Sequence, residues 1–276
     1  MLTGVSQMSR YWSIVFLLFA YGPFSQTQTQ PAVLSASPTA AITADQLVDR
    51  LISNIELYHA TLPSLEAHES IVSRFDEGAT FGRRGYAAEA TVRIQRQPGS
   101  DLLKESRQIT SLNGKRIPPD QNVHLPLNFV NDFDDLLSEF FSTQYRVCYI
   151  FNLSPHANPK TAFKLQVRSR PDAATLSHCA RAVDGLTALV RVDPDALQII
   201  HMESTVPDAI AAPRHRPTFF SADYAPVAFG NRTLWLPIAI TAHFLSGNSD
   251  RAVWVSHYTN YHQYIATSTI LPGDSQ

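Results

Sequence analysis

Metal-assisted hydrolysis is the first chemistry to look for, because His68-Glu69-Ser70-Ile71-Val72 opens like the helical zinc motif H-E-x-x-H. That motif works by placing two imidazoles on one helix face. Here Val72 stands where the second ligand is required, so the chelate fails. His257 and His262 lie five apart in a strand-like run, which puts them on opposite faces of a strand and away from a shared ion. The nucleophile elbow G-x-S-x-G, the phosphate loop G-x-x-x-x-G-K-[ST] and the dinucleotide fingerprint G-x-G-x-x-G are all absent from the sequence. Asp132, Asp134 and Asp135 cluster, but a solvated helix face accounts for them. No catalytic residue, metal ligand or cofactor is assigned, and the expectation is a protein that is not an enzyme.

Two other sets of side chains bear on structure and binding. Cys148 and Cys179 are the chain's two cysteines. An even count in an exported chain points to a disulfide, whose loop of roughly 30 residues would contribute about 3–4 kcal/mol. The alternative is a pair of buried free thiols. Trp254, Tyr258, Tyr261 and Tyr264 either line a ligand groove or serve as core and cross-strand pairs. Asn152-Leu153-Ser154 and Asn231-Arg232-Thr233 match the short glycosylation acceptor pattern.

Length and charge bound the rest. The 276 residues suffice for one domain with a full core, and 44% hydrophobic with 17% charged residues is ordinary globular composition. A net charge of -2 with no Lys/Arg block leaves no footprint for nucleic acid. Arg10 precedes the apolar run Tyr11 to Tyr21, broken by Gly22-Pro23. A core of about 11 to 14 apolar residues matches a signal-peptide h-region and falls short of the ~20 that span a bilayer. Residues 1–25 therefore read as a signal peptide, with the cut loosely between Ser25 and Gln30 and the start at Met1 or Met8. No cysteine lies near the leader for lipid attachment. The mature chain is expected to be periplasmic or secreted and not an integral membrane protein. Residues 26–42, uncharged and rich in Ser, Thr, Ala, Gln and Pro, read as a disordered linker, and 271–276 as a flexible tail.

Between these lie the elements that would position any site. Thr43-Ala44-Asp45-Gln46 fits a capping box, and Leu47, Leu51, Ile55, Tyr58 and Leu62 form the apolar stripe of a helix ended by Pro63. Strands follow. Val92 and Ile94 belong to an alternating run, and Lys104 to Leu112 turns at Asn113-Gly114. Leu127 to Phe141 reads as a second helix, with Phe129, Phe133, Leu136, Leu137 and Phe140 on its apolar face. Tyr145, Val147, Tyr149 and Phe151 share one strand face, as do Phe163, Leu165 and Val167 on the next strand. Leu186 to Val192 and Leu197 to Glu203 flank the turn Asp193-Pro194-Asp195, and three long strands fill Pro217 to Ile270. In the middle one, Leu234, Leu236, Ile238, Ile240, Ala242 and Phe244 fall at period two. The whole is mainly β, with about ten antiparallel strands and two helices.

The order of these pieces resembles a group of uncharacterised secreted bacterial proteins similar to outer-membrane lipoprotein-sorting proteins of the LolA and LppX type. The matching pieces run from the capped helix ending Leu62-Pro63 through Glu105-Ser106-Arg107, Asn113-Gly114-Lys115 and Val192-Asp193-Pro194-Asp195. They continue through Met202-Glu203, Val206-Pro207, Tyr224-Ala225-Pro226-Val227 and Leu236-Pro237 to Asn260-Tyr261-His262-Gln263-Tyr264 and Ser268-Thr269-Ile270. The resemblance implies a single LolA/LppX-like half-barrel over residues 43–270: one strongly curved antiparallel sheet covered by an N-terminal helix and an inserted second helix. It implies a carrier or binder of a lipid or of lipoprotein acyl chains. The apolar ligand-facing residues would be Val92, Ile94, Phe163, Leu165, Val167, Leu236, Ile238 and Ile240. The rival is an envelope structural or sensory module, its half-barrel filled by its own side chains, that binds another envelope protein. A third reading is a hydrolase whose site is assembled from loops. An open apolar cavity under the helices favours the first, a packed core with an exposed apolar patch the second, and a carboxylate–His cluster in a cleft the third.

Overall fold

The structure, a computed structural model, describes residues 42–76, 83–96, 103–123, 125, 135–155, 160–179, 185–207, 217–246 and 250–263. The expected leader, nearly all of the linker and the tail lie outside these residues, as do Phe129, Asp132, Phe133, Asp134 and Tyr264.

Helix α1 (Ala44–Thr61) begins at the expected capping box: Thr43 Oγ1 accepts from Gln46 N at 3.2 Å, and Thr43 N donates to Gln46 Oε1 at 3.0 Å. Two of the orphan donors of a first turn are thereby satisfied. At the other end Arg96 donates to the carbonyls of His59 and Leu62, so an arginine from the sheet caps the carbonyl end. One face of α1 is buried through Leu47, Val48, Leu51, Ile52 and Ile55.

Among the described residues, eleven strands form one open, wholly antiparallel sheet. β1 (Leu65–Asp76), β2 (Arg83–Arg96), β3 (Leu103–Leu112) and β4 (Lys115–Arg116) make one meander. β5 (Tyr149–Leu153), β6 (Phe163–Ser169), β7 (Thr187–Val192), β8 (Ile199–Thr205), β9 (Pro217–Phe229), β10 (Arg232–Ser246) and β11 (Asp250–Gln263) make the other. The two join where β1 pairs with β11, giving the order β4-β3-β2-β1-β11-β10-β9-β8-β7-β6-β5. A short helix α2 (Asp135–Phe140) precedes β5. At the β3–β4 hairpin Asn113 (φ 50) and Gly114 (φ 77) take the left-handed conformations that a tight two-residue turn requires. The Asn113 side chain also accepts from Ala87 N at 2.9 Å.

Two expectations are corrected and one element is added. The run at His68 lies on β1, a strand not among the elements expected from the sequence. His68 is exposed and paired with Glu89 at 3.1 Å, while Glu69 points the other way into the core. Residues Arg146–Cys148 form a 3₁₀ turn and the strand starts only at Tyr149, so Val147 is 51% exposed and does not join Tyr149. Ile238 is 39% exposed and leaves the face of Leu236 and Ile240. The cause is a register shift between Pro237 and Ala239. Pro237 has no N–H to give a neighbouring strand, and within a sheet interior proline is confined to such bulges. The extra residue breaks the alternation, and Leu236 and Pro237 are both buried.

The apolar core runs across both meanders, from Ile109 on β3 to Tyr149 on β5, with α1 packed against it.

Candidate functional site

The face of the sheet that meets α1 is the first candidate site. Val92, Ile94, Leu165, Val167, Leu236 and Ile240 are buried and Phe163 is half-buried against the same core. α1 supplies the matching apolar surface. Between helix and sheet, a space of about 20 Å³ remains, bordered by Leu51, Ile55, Tyr58, Ile199, Tyr224 and Trp235. That is about the room of one water. Burial holds the Tyr58 phenol far above its ordinary value, reinforced by Tyr224; burial does the same for Tyr224, reinforced by Asp223.

Polar contacts fasten α1 around its rim. Arg146 reaches Asp45 at 3.1 Å and Asp49 at 2.6 Å. Glu56 Oε1 accepts from Thr143 Oγ1 at 2.7 Å and from Thr143 N at 3.3 Å. Asn54 Nδ2 donates to Leu197 O at 2.8 Å. Leu197 itself sits at φ 51, held by the Asx turn in which Asp193 Oδ1 accepts from Asp195 N and Ala196 N. The Arg146 and Glu56 contacts are exposed to water, where such pairs contribute little, about 0–1 kcal/mol each. Along one flank of α1 opens a cleft of about 280 Å³, bordered by Ile55, Ala60, Ser138 and Phe141.

The Arg146 turn is anchored by the Cys148–Cys179 disulfide, with Cα atoms 5.6 Å apart. The bond joins the turn to the 3₁₀ turn Ser177–Cys179. His178 lies within 4.8 Å of both sulfurs, but the sulfurs are committed to each other and offer no thiolate to a metal.

A second feature, absent from the sequence reading, lies within the buried face at β1, β3 and β11. Arg107 Nε meets Glu69 Oε2 at 2.5 Å and Arg107 Nη2 meets Glu105 Oε1 at 3.2 Å, all three side chains being almost fully buried. Ser256 Oγ donates to Glu69 Oε1 at 2.6 Å and accepts from Trp254 Nε1 at 2.6 Å. The guanidinium stands 5.5 Å from the Trp254 ring centre. Burial disfavours the Arg107 charge, yet Glu69 and Glu105 outweigh it and raise the guanidinium above its ordinary value. Burial, then the Glu69 charge, holds the Tyr258 phenol up as well. Trp254 and Tyr258 are thus core members, and half-buried Tyr261 donates to Pro237 O at 2.5 Å. The signal available beforehand was the strict inward parity of Glu69 between Ala67 and Ile71, which demands a buried cation nearby.

On the opposite face, His201 lies between Asp223 (Nδ1 to Oδ1, 2.6 Å) and Glu203 (Nε2 to Oε1, 2.9 Å). Both ring nitrogens are taken by carboxylates, so the imidazole has no nitrogen left to activate a nucleophile. Glu203 also borders a cavity of about 420 Å³ over β5–β8, lined mostly by polar side chains. Among the described residues no helix is long and apolar enough to cross a membrane.

No protein-family model matches the sequence, and no curated protein matches it. Solved structures do. A LolA superfamily protein from Nitrosomonas europaea is 11% identical, with 82% of this chain covering 96% of that one at a TM-score of 0.33. A domain assigned to outer membrane lipoprotein sorting from Vibrio parahaemolyticus is 8% identical, covering 80% and 93%, TM-score 0.36. A DUF1329 family protein from Desulfovibrio piger is 9% identical, covering 82% and 96%, TM-score 0.36. At 8–11% identity and TM-scores of 0.33–0.36, these likenesses transfer neither a family nor a residue role.

Proposed function

We propose that the protein is an exported, non-enzymatic binder of a hydrophobic chain, a lipid or the acyl chain of a lipoprotein. Its signal peptide is residues 1–25, its linker 26–42 and its binding domain 43–270. In the state described here α1 occupies the apolar face that a ligand would occupy, so uptake is an exchange of helix for acyl chain. The observation that carries this reading is the construction of α1. Its apolar stripe fills the sheet's buried face, water-exposed polar contacts fasten much of its rim, and an apolar-walled cleft opens beside it.

Magnitudes make the exchange feasible. Five buried side chains of α1, at about 1.5–3 kcal/mol each, contribute about 8–15 kcal/mol. An acyl chain of about 14 methylenes recovers about 11 kcal/mol at 0.8 kcal/mol per CH₂. The two are comparable, so neither state overwhelms the other. Val92, Ile94, Leu165, Val167, Leu236 and Ile240, with Phe163 at the rim, are the side chains proposed to meet the chain.

Joining α1 to the segment before β5 tests this. E56C/T143C, oxidised to a disulfide, holds the helix at the Glu56–Thr143 contact. The locked protein is expected to bind no fluorescent long-chain fatty acid, while E56C alone, alkylated, binds as the parent does. Equal binding by the locked protein would overturn uptake by displacement. The space of about 20 Å³ favours a second reading, an envelope structural or sensory module with a self-filled interior. Failure of the unlocked parent to bind any fatty acid, with no lipid in mass spectra of the protein from its native envelope, would select it.

A further inference from the structure

We infer that the face of the sheet opposite α1 carries a second, separate binding site, for a neutral short oligosaccharide, formed by β5, β6, β7 and β8. The cavity there is about 420 Å³, within the range of about 300–1,000 Å³ typical of small-ligand sites. Its side chains stand in two cross-strand rows. One row places Asn152 beside Gln166, Gln166 beside Leu189 and Leu189 beside Glu203; the other places Arg168 beside Thr187 and Thr187 beside Thr205. Three inter-strand spacings make the first row about 14 Å long, and two make the second about 10 Å.

These side chains are not used by the fold. Asn152, Gln166, Arg168, Thr187 and Thr205 make no side-chain hydrogen bond or ion pair with another described residue. Elsewhere on the same sheet some polar side chains are paired, as Arg93 is with Glu66 at 2.6 Å and His68 with Glu89. Glu203 gives one oxygen to His201, and that contact fixes the carboxylate at the edge of the cavity.

The chemistry selects the ligand. Carboxamides and a guanidinium present adjacent, coplanar polar atoms, which suit neighbouring sugar hydroxyls, and threonine hydroxyls both donate and accept. Leu189, half-buried at the centre, offers an apolar platform for the C–H face of a pyranose ring. One guanidinium against one carboxylate gives the cavity no net charge, which disfavours phosphate and polyanions. This site is independent of α1 and of the lipid reading.

Nitrogen–proton correlation spectra of the full chain, titrated with neutral disaccharides (cellobiose, maltose and chitobiose), test the proposal. At least one is expected to give saturable shifts confined to β5–β8, with a Kd in the millimolar range or tighter. R168A and Q166A, at exposed positions, are expected to weaken it at least about tenfold each while leaving Tm unchanged. No saturable shift with any of the three would overturn it. So would equal affinity in the R168A/Q166A double variant, or reproduction of the same shifts by sodium sulfate alone, which would mark an anion site.

Discussion

Arg107→Met removes the guanidinium that meets both Glu69 and Glu105, two carboxylates whose side chains are almost fully buried. Breaking a buried ion pair from one side typically costs about 3–5 kcal/mol, and the lost Trp254 contact adds to it. For a domain of this size that corresponds to a fall in Tm of about 6–20 °C. Replacing all three groups, E69Q/E105Q/R107M, leaves no buried charge and should recover most of the loss, because a buried ion pair is worth little against neutral groups of the same shape. Thermal unfolding followed by circular dichroism at pH 7 measures both. An R107M protein as stable as its parent at pH 7, or a triple variant no better than R107M, would refute the reading of Arg107 as the cation that makes these buried carboxylates tolerable.

Ile238→Asp, at an exposed bulge, should change stability by no more than about 0.5 kcal/mol, whereas Ile240→Asp, in the core, should prevent folding; urea titration separates them. Removing the disulfide as C148A/C179A opens a loop of sequence separation 31 and should cost about 3–4 kcal/mol, lowering Tm by about 6–16 °C in the same melt. Unfolding at alkaline pH should be driven by tyrosine. Tyr58, Tyr224, Tyr258 and Tyr261 all have folded values pushed far up, chiefly by burial, so their contribution is complete below the ordinary value of about 10 and is lost as pH rises above it. Tyrosinate absorbance should therefore show a late component that appears together with loss of secondary structure.

The sequence made α1 legible because its cap and its stripe are local signals, and the hairpin at Asn113-Gly114 for the same reason. The apolar parity of Val92, Ile94, Leu165 and Val167 was equally plain, since alternation within one strand needs no knowledge of its partners. Ile238 was misread because a bulge is a property of the pairing between β9 and β10; Pro237 was the one residue that announced it. β1 was missed for a different reason. Its inward positions include Glu69 and Ser73 as well as Leu65, Ala67 and Ile71, and the polar members break the apolar run that marks a strand. The burial of Glu69 makes sense only once Arg107, Trp254 and Ser256, distant in sequence, are brought against it. Likewise the outer groove consists of exposed polar residues from four strands, each unremarkable alone.

Hydrogen exchange of the α1 amides, read by mass spectrometry with and without a saturating long-chain fatty acid, bears most directly on uptake by helix displacement. Bound lipid should accelerate exchange across Leu47 to Ile55 while the amides of β6, β7 and β10 keep their protection. Lipid bound with α1 still fully protected, or no lipid bound at all, would contradict the account.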